Sequence, residues 1–357
     1  MRTGMANLPL HGGRAPAWLF QRMKLLAREV VILIVDEMGS LEMLGKLSDP
    51  FWFQSFGCVL GFDWHSSGVT TTVCGAVKEA IRGLENDLGF FVAGGKGKAS
   101  RKTPREIESR CSQNSLEADR LVYSSRMTAK VDSAAVQDGY QLYHHVFFFT
   151  RQGEWAVIQQ GMNADTRYAR RYHWLGQGDL DFVCEPHLAV CCDARGTSLN
   201  MVAAESHESR EATSIVAREG PERLIRELEK TQTLTLPRHH NVRPQNIDLN
   251  RLKKILTRIY ERQPQHFESL LSVEGVGPKT IRSLSLIAEL VYGARPSFRD
   301  PARFSFAHGG KDGHPYPVDR ENYDRSIELL QKAVRKAKIG QREKLEALKR
   351  LTRFMEG

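Results

Sequence analysis

Between positions 271 and 293 the chain reads LSVEGVGPKTIRSLSLIAELVYG, a segment that leaves little freedom of fold. Gly275, Val276 and Gly277 stand between two apolar helical runs. A turn that tight needs positive φ or close backbone approach, which glycine permits. The amides that open the second helix then point outward, where they can hold a phosphate oxygen. Lys279 adds a positive charge on that first turn, with Thr280 and Arg282 beside it. A grip of this kind is indifferent to base sequence and weakens with salt. The bland alternative is a helical corner with no ligand. The apolar positions Val273, Val276, Ile281 and Leu284 complete the pattern and favour contact with DNA. The expected DNA-binding residues are Gly275, Val276, Gly277, Thr280 and Arg282, with Lys311 from the segment downstream.

The 357 residues suit two or three domains. The expected fold class is mostly α with a smaller α+β portion. An N-terminal α+β domain over 1–205 is helical over 16–85 and carries a β-hairpin or small antiparallel sheet at 143–160. A helical DNA-binding domain over 206–357 contains a helix-hairpin-helix at 271–292. Helices are expected at Leu41–Leu47, Pro50–Leu60 and Val69–Leu84, after one that begins near Pro16 and ends near Gly39. Further helices are expected over 210–230, 250–261, 320–338 and 341–355. FFVAGGKGKASRK, from Phe90, is Gly-rich and basic and reads as a mobile loop or phosphate cradle. Thr103 and Glu106 suggest a capping box at the helix that follows. Strands are expected at 143–150 and 155–160, joined by RQGE.

The formal net charge is +9, modest for this length, so where the charge sits matters more than its size. None of the six cysteines forms a C-x-x-C pair, so a zinc ribbon or iron–sulfur comb is not indicated, and no cofactor is expected. The longest apolar stretch, 30–35, is too short to span a bilayer, and no leader pattern opens the chain. A cytoplasmic, nucleoid-associated protein with no membrane partner is expected, its oligomeric state open.

The corner resembles the helix-hairpin-helix DNA glycosylases of the endonuclease III type. The match is GVGPKT at 275–280, followed by PVDRENYDRSI from Pro317. The resemblance implies base-excision repair: a lysine nucleophile, Lys279, and an essential carboxylate, Asp319. The partner would be double-stranded DNA with a damaged base, and the enzyme a DNA glycosylase with AP-lyase activity. Such an amine must be partly neutral, so the chemistry calls for Lys279 to be buried or beside other cations. Three features depart from the pattern, one being that only about four helices flank the corner within residues 209–357. Lys279 and Asp319 lie forty positions apart, about twice the usual separation, and no cysteine follows Cys192 to hold an iron–sulfur cluster. Across the whole chain, the strings MRTGMANLPLHGGRAPAWLF, FGCVLGFDWHSSG, VQDGYQLYHH and ARRYHWL resemble an archaeal and bacterial family known only as a domain of unknown function. Some of its members look like glycosylases acting on oxidised pyrimidines such as 5-hydroxyuracil.

Three clusters supply a candidate base pocket: Asp63, Trp64 and His65; Gln137, Asp138 and Tyr140; Gln160, Arg171 and His173. Amides suit a pyrimidine's Watson–Crick edge and aromatic faces can stack on it. Two other readings stay open. Asp63, His65, Asp132, Asp138 and His173 are ligand types for a metal-dependent DNA nuclease. The chain could also be a non-catalytic DNA-binding repair protein.

Overall fold

The computed structural model describes residues 15–62, 68–192, 195–230, 248–302 and 320–356. It is mostly helical, with a five-stranded antiparallel sheet in the middle. Four helices come first: α1 (Ala17–Met38), α2 (Ser40–Ser48), α3 (Pro50–Leu60) and α4 (Gly68–Ala80). The β-branched run 30–35 stays helical because Met23, Leu26, Ala27, Val30, Val31 and Ile34 repeat at helical spacing and are all buried. The Asp49 carboxylate accepts the Phe51 and Trp52 amides and so starts α3, with Pro50 in its first turn. A single turn, α5 (Glu85–Leu88), leads to the sheet.

The strands in chain order are β1 (Phe90–Lys96), β2 (Val136–Gln137), β3 (Gln141–Thr150), β4 (Trp155–Met162), β5 (Ala169–Gly176), β6 (Ala189–Cys191) and β7 (Leu199–Asn200). The main sheet has the order β1-β3-β4-β5-β6, while β2 pairs with β7. Ser297 extends the small pair by a bridge to Asn200. The expected loop at 90–100 is instead an edge strand followed by a 3-10 turn, Gly97–Lys102. Gly94, at φ +94°, makes this possible, since a Cβ there would stand 2.3 Å from the His145 carbonyl oxygen. The capping box at α6 (Thr103–Asn114) is not formed. Glu106 is drawn off to accept the Gly94 amide and the Lys78 ammonium, and the Thr103 hydroxyl donates to the Ser100 carbonyl.

Both faces of the sheet are covered, which is why β3 and β4 carry near-continuous apolar runs rather than alternation. Val146, Phe148, Ala156 and Ile158 face one core with α1–α4. The last helices, α13 (Arg320–Lys336) and α14 (Gln341–Glu356), join that core through Leu330, Val334 and Leu351. Phe147, Phe149, Trp155 and Val157 face the other core. There they meet α6, α7 (Asp119–Lys130), α8 (His207–Ala217), α9 (Pro221–Lys230), α10 (Leu249–Arg262), α11 (Phe267–Ser272) and α12 (Pro278–Tyr292). The single helix expected over 210–230 is two, because Gly220 and Pro221 interrupt it and proline has no N–H to continue the ladder. No helix among the described residues is long and apolar enough to cross a membrane.

Candidate functional site

The corner between α11 and α12 is built as its glycines demand. Gly275 adopts φ +89° and is exposed, while the Val276 side chain between the two glycines is buried in the core. Gly277 precedes α12 in an extended conformation and no side chain caps the helix. Pro278 fills its first turn, where no N–H is missed. The amides of Gly275 and Gly277 have no hydrogen-bond partner among the described residues. Pro278 and Lys279 are exposed beside them.

The other side of the turn is tied to the protein. Lys130, at the end of α7, donates its ammonium to the Val273 carbonyl at 3.3 Å and to the Val276 carbonyl. Burial lowers the proton affinity of this amine. Gln137 donates to the Pro278 carbonyl at 2.9 Å and accepts from Arg282 Nε at 2.7 Å. The carbonyl side is therefore satisfied from within, while the glycine amides make no backbone bond among the described residues. Nothing local in the sequence marks Lys130 as the tether. Arg258 was not expected either; it is an exposed residue of α10 whose guanidinium lies 3.6 Å from where a Gly275 Cβ would stand. The signal was there in Arg251, Lys254, Arg258 and Arg262, which recur at helical spacing.

Lys279 is not buried, contrary to the expectation for a nucleophile; it stands exposed on the first turn of α12. Thr280 is buried and Arg282 half-buried. Lys311 and Asp319 lie outside the described residues, as do Asp63, Trp64 and His65.

The remaining pocket residues divide between the two faces of the sheet. Directly paired residues in an antiparallel ladder share a face. One row is Lys96, His144, Gln160, Arg171 and Cys191, on the side of α1–α4. Arg171 there donates to Gln54 at 3.1 Å and to Thr70 at 3.4 Å and lies over the Phe53 ring. His173 sits on the same face, edge-on to Phe53. Gln160 donates to the Tyr143 hydroxyl. His144 is buried and neither ring nitrogen has a partner among the described residues. Burial, with His145 and Lys96 nearby, pushes its proton affinity down to about 3. His173 is held well below the usual histidine range by burial and by the Arg171 charge.

The opposite face carries Gln137, Asp138 and Tyr140. Asp138 accepts from Arg170 at 2.8 Å, from the Tyr172 hydroxyl at 2.7 Å and from the Tyr140 amide at 3.1 Å. Arg170 also reaches Asp300 at 2.9 Å and stacks on Tyr140. Burial opposes its charge, but Asp138, Tyr172 and Asp300 hold it firmly protonated. Deeper on this face, Asp132 sits in a π-helical turn and is wholly buried. It accepts from Gln159 at 2.6 Å and Trp174 at 2.9 Å and pairs with His187 at 2.5 Å. Gln159 presents its oxygen to His145 Nδ1 at 2.9 Å, so Nδ1 carries the proton and Nε2 accepts from Ser125, also at 2.9 Å. Burial lowers the His145 proton affinity. The metal-ligand set imagined from the sequence is thus separated: Asp132 and Asp138 are on one face and His173 on the other. Among the described residues, no three His, Cys, Asp or Glu side chains are placed to hold a metal ion.

No curated protein and no solved structure matches the chain. One family model covers residues 4–318, taking in the sheet and the α11–α12 corner and stopping before α13, and by that match the chain belongs to the family described as "Protein of unknown function (DUF763)".

Proposed function

We propose that the chain binds double-stranded DNA through a helix-hairpin-helix at the α11–α12 corner and acts there as a DNA glycosylase with lyase activity on an oxidised pyrimidine. The observation that carries this reading is the two-sided corner. Its carbonyls are held by Lys130 and Gln137, while the Gly275 and Gly277 amides make no backbone bond among the described residues and Lys279 is exposed. Partnerless amides at a helix start, with a cation one residue on, suit a phosphate oxygen. Arg258 adds charge on the adjoining helix.

In this proposal the Lys279 amine attacks C1′ of the damaged nucleotide. The new C–N bond forms as the glycosidic bond breaks, and the base leaves with its electron pair and takes up a proton. Asp319 steadies the positive charge that builds on the sugar. The sugar ring then opens as the C1′–O4′ bond breaks and O4′ takes up a proton, which leaves a Schiff base at C1′; loss of a C2′ proton from it expels the 3′-phosphate by β-elimination and cleaves the strand. Lys279 is exposed among the described residues, so in this reading the bound duplex displaces the water it must lose.

Borohydride trapping on a duplex bearing one 5-hydroxyuracil tests the chemistry. The wild-type protein is expected to give a covalent adduct, and Lys279→Ala to give none while still binding the duplex. An adduct that persists in Lys279→Ala moves the nucleophile elsewhere. Binding with no adduct and no product on any lesion leaves a DNA-binding protein without the enzyme.

A further inference from the structure

The segment that closes β1 and opens α6 carries Lys96, Lys98, Arg101, Lys102 and Arg105, all exposed. No acidic residue falls within 96–105. The nearest carboxylate, Glu106, is occupied by Lys78 and the Gly94 amide. None of the five cations forms an ion pair among the described residues, whereas Arg22, Lys332, Lys336 and Lys253, exposed elsewhere, are each paired with a glutamate. Lys96 lies 5.7 Å from the centroid of the Tyr143 ring. Five like charges within ten residues repel one another, and no ion pair among the described residues offsets that repulsion. The segment is nonetheless held in one shape. Gly94, Gly95 and Gly97 supply the positive φ values, and the 3-10 turn bridges Lys96 to Thr103.

Its place in the fold connects it to the corner. Thr103 at the start of α6 lies against the backbone of Gly94, opposite His145, and Ser125 of α7 bonds the His145 ring. Five residues beyond Ser125, the same helix ends at Lys130, which holds the corner carbonyls. The β1 end is thus linked through His145 to α7, and α7 in turn through Lys130 to the corner.

From this arrangement we infer that Lys96, Lys98, Arg101, Lys102 and Arg105 form a second phosphate-binding surface, which holds the backbone of the same DNA duplex that the α11–α12 corner grips. The inference rests on the DNA-binding reading above and extends it: the corner fixes one stretch of backbone, and the basic segment neutralises phosphates further along. The Tyr143 ring, under Lys96, lies at its edge.

Salt dependence separates the two surfaces. Each phosphate contact adds about 0.9 to the slope of log affinity against log salt on duplex DNA. The probe is an undamaged duplex titrated from about 50 to 200 mM salt. Replacing Lys98, Arg101 and Lys102 together by serine touches only exposed side chains, and circular dichroism checks that the fold survives. The triple variant is expected to lower the slope by about 2 to 3, and Lys279→Ala by about 1. A triple variant with the wild-type slope overturns the second surface while leaving the corner intact. A slope lowered by the triple variant but not by Lys279→Ala keeps the basic segment and removes the corner. A wild-type chain with no salt-dependent affinity for duplex DNA overturns both.

Discussion

Asp132→Ala is expected to cost about 3–5 kcal/mol of stability, because it strands buried donors rather than removing one bond. Gln159 Nε2, Trp174 Nε1 and His187 Nε2 all converge on this wholly buried carboxylate. Water cannot replace the lost acceptor without opening the packing between α7 and β4. The damage also spreads, since Gln159 orients His145, which in turn bonds Ser125. Asp132→Asn keeps the size and one acceptor and should cost less. Urea unfolding of the three proteins measures the difference. A loss under about 1 kcal/mol for the alanine variant would mean that the site tolerates water, and the buried network would lose its standing as a keystone.

The second large effect is expected on acidification. His144, His145 and His173 are buried, and burial lowers the proton affinity of each, His144 to about 3. Each stays neutral in the folded chain but takes up a proton once unfolded and the pH is below the ordinary histidine value near 6.5. Stability is therefore complete above that value and falls as the pH drops through it, by about 1.4 kcal/mol per histidine per pH unit. The buried Asp138 carboxyl, raised mainly by desolvation, works in the opposite sense, but it is one group against three. Between pH 7.5 and 5.5 the unfolding free energy should fall by roughly 3 kcal/mol. His144→Gln should flatten that fall by about half. A profile that stays level from pH 7.5 to 5.5 would contradict the burial of these rings as neutral species.

The α2 and α3 helices and the β3–β4 hairpin could be read from the sequence to within a few residues, since each carries its own periodicity and its own stop signal. The α11–α12 corner could be read for the same reason: two glycines and a proline leave the chain few alternatives. What could not be read depends on partners far away in sequence. No strand was expected at ARRYHWLG, yet it is an inner strand, because Arg170 finds Asp138 and Asp300 and Arg171 finds Gln54. The α7 helix was hidden by its serines and charges, although Leu121, Val122, Ser124, Ser125, Met127 and Thr128 are buried. FFVAGGKGKASRK looked mobile because glycine usually marks freedom. Here Gly94 is used for close approach to a neighbouring strand. The two described groups of pocket residues, Gln137 with Asp138 and Tyr140, and Gln160 with Arg171 and His173, fall on opposite faces of the sheet, which only the pairing of distant strands decides.

Hydrogen–deuterium exchange on the full chain, with and without a saturating duplex, addresses the corner itself. If phosphate oxygens occupy the Gly275 and Gly277 amides, peptides spanning 274–280 should exchange more slowly in the complex, and those covering the buried strands β3 and β4 should not change. Slowed exchange elsewhere, with 274–280 unaltered in fully bound protein, would place the nucleic acid on another surface and remove the basis for assigning Lys279 a role in chemistry.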